Sequence, residues 1–503
     1  MKRIEKYRKL FLILSVLFLV AGLASCGKKE EEKVFSSIEE LNGRDMGCMS
    51  GSIFDVLIQE KFPDSQIIYF GSRSELLLGL TSGKIDGFIS DEPVAMMMLS
   101  QNEAVTYLDE AVGSVDYGIC FSDDAKEIMV KFNEYLAKVT SNGHIKELQE
   151  KWINPEGNTK KKVELELTGE NGTIDCVTTP DAAPFSFISN NIFQGYEVEL
   201  LNEFCYEYGY DLKISTVSFD ALLTSVAMNK YDVAFNGIYI TEERAKSVNF
   251  CTPTFQGRDV VMIRNGVVSE NKDLITSIKD SFYRNFIEED RYKLLLSGAL
   301  TTLIISLFSI IFGTLGGLVI FMLGRSNDLF RRFADRVQRL LAKLPAVVLL
   351  MLLFYVVFKS SSISAVVVSI IGFAFMFANT FYGLLKTGVA SVDYGQSEAA
   401  MALGYVDYIA FFHIILPQAL KTVSESYISE IIALIKNTSI VGYVSVNDVT
   451  RSSDIIRGRT YDALFPLIVV AIIYYLLCTI LVALIRIPLN AYIEKKVRYN
   501  DQI

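Results

Sequence analysis

Five apolar runs dominate the chain beyond Asp290, at 294–323, 344–358, 363–385, about 427–446 and 465–486. Each is near the length at which a helix crosses a bilayer. Hydrocarbon offers backbone amides no partner, so a stretch of this kind is confined to helices that satisfy their own hydrogen bonds. The expectation is an all-α membrane domain of five spans over 291–490, with a tail at 491–503. Two runs fit less easily. The second is short, and the fourth contains Glu430 and Lys436, so both need protein neighbours or polar surroundings.

Charge orients the spans. Arg325, Arg331, Arg332, Arg336, Arg339 and Lys343 crowd the loop after the first run, and Lys495, Lys496 and Arg498 follow the last, which makes both places cytoplasmic. With an odd number of crossings, residues 27–290 then lie outside. The N-terminus agrees independently: Lys2, Arg3, Lys6, Arg8 and Lys9 precede an apolar run from Leu10 to Leu23, the pattern of an export signal. One loop disagrees, because Arg451, Arg457 and Arg459 fall outside by this topology.

The outer part alternates short apolar strands with helical patterns. Ile67–Phe70 and Gly87–Ser90 read as strands around a helix at 74–80, and the rhythm repeats with 173–177, 198–208 and 233–235. The expected class is α/β, followed by a linker at 266–290. Residues 154–162, with Pro155, Gly157 and three lysines, read as a linker between two such segments. Of the 503 residues only two are histidines, far apart, and the seven cysteines include no CxxC pair, so no metal centre is indicated. A formal charge of −10 argues against a nucleic-acid surface.

Several motifs carry resemblances. Leu23-Ala24-Ser25-Cys26 resembles the bacterial lipobox, which implies a signal segment at 1–26, a lipid on Cys26 and a tether at 27–34. Glu398-Ala399-Ala400, Gly404 after three intervening residues, then Ile414, Leu416 and Pro417 resemble the EAA loop of binding-protein-dependent ABC permeases. The resemblance implies that 398–417 forms two short helices with Gly404 at the turn, and that Glu398, Ala399, Ala400 and Gly404 dock on an ABC ATPase dimer. No GxxxxGK[ST] phosphate loop occurs in these residues, so ATP is expected on that partner and no cofactor on this chain. Gly298-Ala299-Leu300-Thr301-Thr302, Pro345 and Lys436-Asn437-Thr438-Ser439 narrow the resemblance to the polar amino-acid, histidine/glutamine-type permeases. It implies a permease homodimer, multi-pass in the bacterial cytoplasmic membrane and in contact with lipid.

The segment 163–265 resembles the first half of bilobed amino-acid-binding proteins of the periplasmic type II class, and 38–153 resembles the later half, in reversed order. A circular permutation is the simplest account, with 35–115 as the second lobe and 116–265 as the first, joined through 154–162; the rival account is two incomplete domains that pair with other chains. The resemblance implies an interlobe site in which Arg244 forks onto an amino-acid carboxylate and Asp91 takes the ammonium. Ser52 and Gly237 would offer close polar contacts, Phe219 would pack the ligand side chain, and Tyr239 and Thr241 would border the site. Tyr239 stands where the family often has Ser or Thr, Ala182 where it usually has an aromatic residue, and Ile53 where a polar residue is common. Asp181 and Thr179 are further candidates for the pocket. The expected function is an importer subunit for polar amino acids. Amino-acid-gated channels and sensory receptors are the alternatives, though no Thr-Val-Gly-Tyr-Gly filter and no kinase or cyclase motif is present.

Overall fold

The computed structural model describes residues 35–153, 162–189, 192–265, 274–359, 361, 363–460, 462 and 464–500. Cys26, the 1–26 and 27–34 segments, all but the last residue of the 154–162 linker, and 266–273 lie outside the described residues.

Two five-stranded sheets form the outer part. The first contains β1 (Asp45–Met49), β2 (Gln66–Phe70), β3 (Gly87–Asp91), β4 (Val105–Tyr117) and, far along the chain, β13 (Phe255–Arg264), in the order β2-β1-β3-β13-β4. Strands β1, β2 and β3 run parallel, as helices Phe54–Lys61 and Arg73–Thr81 between them require, and β13 is antiparallel to both β3 and β4. The second sheet has the order β10-β6-β11-β5-β12, from β5 (Cys120–Phe121), β6 (Thr173–Thr178), β10 (Asp211–Thr216), β11 (Val233–Ala234) and β12 (Asn249–Phe250). A small antiparallel sheet of β7 (Asp181–Ala182), β8 (Ser186–Ser189) and β9 (Ile192–Gln194) lies alongside.

The chain therefore crosses between lobes twice, from β4 to β5 and from β12 to β13. This corrects one expected boundary. The first lobe does not run to 265, because Val260 to Ile263 are buried in the second lobe's sheet, paired with both β3 and β4. The crossing back falls at 250–255.

Among the described residues three helices are long and apolar enough to cross a membrane: Tyr292–Ser326, Ala365–Ala390 and Leu464–Ile493. A fourth span results if Asp328–Leu341 and Ala346–Val357, bent by 107°, are counted as one. The expected run at 427–446 is divided between helix Leu416–Asn437 and the tight turn Thr438–Val444. That helix carries Lys421, Glu425, Glu430 and Lys436, which is why length and composition alone do not mark it as a span. Tyr292–Ser326 packs along Ala365–Ala390 through glycine: a Cβ on Gly313 would lie 2.8 Å from Cβ of Phe377. Without the driving force that water supplies, such close backbone approach is how membrane helices gain contact.

Candidate functional site

Six of the seven residues expected to touch a ligand, namely Ser52, Asp91, Phe219, Gly237, Tyr239 and Arg244, line one cavity between the lobes, together with Met49, Ile53, Phe54 and Arg73. Ser52 and Asp91 come from the second lobe, the other four from the first. The seventh, Thr241, is not in the lining. Its hydroxyl accepts the Arg244 backbone N–H at 3.2 Å and caps the short helix Glu242–Ala245, so it aims Arg244. The Arg244 guanidinium donates to the Tyr239 carbonyl and, across the cleft, to the Gly51 carbonyl, both at 3.2 Å. It thus ties the lobes together. The loop carrying Gly237 is held by its N–H, which donates to buried Glu197 at 2.8 Å, and burial pushes that carboxyl up to about 8.

Asp91 is only 5% exposed and is already engaged. Its Oδ1 accepts from the hydroxyls of Tyr117 at 2.8 Å and Tyr239 at 2.5 Å, while the Tyr239 oxygen also lies 2.5 Å from Oδ1 of Asp259. A phenol carries one proton, so Tyr239 cannot donate to both carboxylates. The order that fits these two short contacts has Asp259 keep its proton and donate to Tyr239, which donates to Asp91. Burial, the main cause, lifts the Asp259 carboxyl to about 7, in keeping with this order. Tyr117 and Asp259 hold Asp91 and Tyr239 in place, and sequence reasoning missed both. Asp259 stands directly opposite Asp91 in the β3–β13 register, a relation visible only once the strands are paired.

The cavity measures about 20 Å³, room for about one water. A whole amino acid therefore enters only when the lobes part. A second cavity of about 300 Å³ adjoins the first, sharing Met49, Arg73 and Phe219 with it. Its other walls are Ser72, Glu75, Thr179, Asp181 and Ser218 from the lobes and Ser439, Tyr443, Asp448, Arg451 and Asp454 from the membrane domain.

The lobes sit on the membrane domain through helix Val449–Thr460, and this explains the three arginines that broke the charge rule. Arg451 donates to the Val217 carbonyl of the first lobe. Arg457, buried, bonds Glu75 of the second lobe at 3.1 Å and Asp454 of its own helix at 3.0 Å. Arg459 faces Glu289 at 3.5 Å, with its guanidinium 4.7 Å from the Phe187 ring centre. Their partners are protein groups, so they carry no information about which side of the membrane is cytoplasmic. Tyr231 to Ser445 at 2.6 Å and Thr216 to Asn447 at 3.1 Å add further bonds from the first lobe.

At the other end, residues 398–417 form helix Tyr394–Ala402, a turn at Gly404 with φ +84°, and a second helix from Asp407. Glycine suits this left-handed turn because it has no Cβ to clash. Glu398 and Ala399 are exposed and Ala400 is buried. Tyr394 and Leu403 are each 72% exposed, and Val406 and Tyr408 are exposed as well. Arg325 fixes the second helix by two bonds to Asp407 and lies 5.0 Å from the Phe411 ring centre.

Two family descriptions match the chain. Bacterial extracellular solute-binding proteins, family 3, match residues 174–346, and the binding-protein-dependent transport system inner membrane component matches 316–498. The first match runs past β13 and through helices Tyr292–Ser326 and Asp328–Leu341, while strands β1 to β5 precede it. A putative glutamine transport system permease protein of Rickettsia bellii is 30% identical over 205 residues, 40% of this chain and 92% of that protein. An arginine transport system permease protein of Bacillus subtilis is 35% identical over 118 residues, 24% of this chain and 52% of that protein. Among solved structures, an amino acid ABC transporter described "with histidines" is 25% identical with a TM-score of 0.37, covering 45% of this chain and 99% of that one. The permease half, the solute-binding half and the membrane helices now stand on one polypeptide, and the chain belongs to the binding-protein-dependent transport system inner membrane components, carrying a family 3 solute-binding domain outside the membrane.

Proposed function

We propose that this chain both captures an amino acid between its outer lobes and conducts it across the membrane, driven by ATP hydrolysis on a separate ABC ATPase dimer. The observation that carries the reading is the meeting of Arg244 and Asp91 from opposite lobes at one cavity. An α-amino acid brings a carboxylate and an ammonium, and a cation and an anion on facing lobes convert its binding into lobe closure. The Tyr239 hydroxyl holds Asp91, so an ammonium taken by Asp91 displaces a phenol.

The exposed apolar residues around Gly404 supply the surface for the ATPase, and a second copy of the chain completes the pore. Glutamine and arginine, named for the related permeases, are the first cargoes to try. Titration calorimetry on the full chain in lipid nanodiscs tests the reading: heat with one of these amino acids is expected, and Arg244→Ala should abolish it at the cleft. Unchanged binding would remove Arg244 from the site.

A further inference from the structure

The 300 Å³ chamber between the lobes and the membrane domain holds more unmet polar chemistry than the cleft beside it. Arg73 is only 7% exposed and lies over Phe219, its guanidinium 5.9 Å from the ring centre, with no hydrogen bond or ion pair among the described residues. A buried cation without a counter-charge is costly, and an anionic ligand group removes the cost. Ser218 Oγ and Arg451 Nε, both in the chamber wall, are buried and also unpartnered among the described residues.

Four carboxylates line the same space, and three are engaged. Glu75 takes Arg457 and the Gly71 N–H, Asp454 takes Arg457, and Asp448 takes the Tyr474 hydroxyl and the Arg451 N–H. Only the Asp181 carboxylate has no hydrogen bond or ion pair among the described residues. Among the described residues the chamber thus offers an Arg73 guanidinium and an Asp181 carboxylate without partners, in a volume at the lower end of small-molecule sites.

We propose that this chamber is a second, transfer site for a zwitterionic α-amino acid, with Arg73 and Ser218 on the carboxylate and Asp181 on the ammonium. The inference rests on the capture reading above and adds a station between cleft and membrane. Arg73 and Phe219 line both cavities, so the same guanidinium can hold the carboxylate of a departing ligand as Arg244 releases it.

The test is binding stoichiometry on the full chain in nanodiscs, measured with each common L-amino acid, combined with uptake into proteoliposomes containing the partner ATPase. Two molecules per chain are expected for the native protein. Arg244→Ala should remove one and leave the other, while Asp181→Asn and Ser218→Ala, which touch only the chamber, should weaken the second by about tenfold or more and slow uptake with cleft affinity unchanged. The site each variant retains reports that it has folded. A stoichiometry of one that Arg244→Ala abolishes, with native uptake by Asp181→Asn and Ser218→Ala, would overturn the transfer site and leave capture standing. No binding by the native chain would overturn both.

Discussion

Arg457 is the sharpest point at which to test how the lobes hold the membrane domain. Its side chain is 4% exposed, and its two bonds go to carboxylates on different parts of the molecule, Glu75 on the second lobe and Asp454 on its own helix. Arg457→Ala deletes the cross-domain bond and leaves the two carboxylates without the cation between them. A hydrogen bond to a charged group contributes about 1.5–3 kcal/mol. Glu75 is 37% exposed, and screening by solvent reduces the cross-domain share to about 1–2 kcal/mol. At about 1.4 kcal/mol per tenfold, the ratio of docked to undocked lobes should fall roughly 5- to 30-fold. Single-molecule energy transfer between fluorophores at Val130 and Tyr283, both exposed, reads that ratio directly in nanodiscs. Glu75→Gln should cost a similar amount, and adding Arg457→Ala to it should cost little more. Single effects that sum to the double within about 0.5 kcal/mol would refute the bridge.

Three further outcomes are expected. Gly458→Val places a Cβ 2.2 Å from Cβ of Asp181, an overlap that costs about 1–3 kcal/mol; uptake should drop while calorimetric binding at the cleft persists, and native uptake would contradict the contact. Gly404→Val puts a β-branched residue at φ +84°, a strain of about 1–2 kcal/mol, and should reduce recovery of the ATPase partner with the purified chain. Asp259 is raised in the folded state from 3.8 to about 7, so the folded form keeps a proton that the unfolded form has lost. Its contribution to stability is complete below pH 3.8 and is lost as the pH rises through about 7. Asp259→Asn should flatten the decline in melting temperature over that window, and an unchanged slope would exclude Asp259 as its source.

Much of this architecture is local in the sequence. The apolar lengths mark the membrane half, the 398–404 spacing marks the cytoplasmic turn, and the alternation around 67–90 and 173–235 marks two α/β lobes, because each pattern repeats within a few residues. What the sequence hides is long-range pairing. Phe255–Arg264 reads as any buried strand, and only its register against β3 and β4 assigns it to the second lobe. The same register sets Asp259 against Asp91, so the proton-sharing group around Tyr239 was invisible without it. Arg451, Arg457 and Arg459 misled for a related reason: charge counting presumes solvent or lipid headgroups as partners, whereas Val217, Glu75 and Glu289 supply them from far along the chain.

The double crossing between lobes has a consequence for how such a transporter changes cargo. Residues 118–254 leave the second lobe after β4 and return before β13, and the strands at the two ends of this excursion are neighbours, with Phe121 opposite Asn249 and Cys120 opposite Phe250. A segment whose ends lie side by side can be exchanged as a cassette. Phe219, Gly237, Tyr239, Thr241 and Arg244 all travel inside it, while Asp91, Arg73 and the membrane helices stay behind. One contiguous replacement would rewrite half of the recognition surface, together with the first lobe's bonds to the membrane domain from Thr216, Val217 and Tyr231.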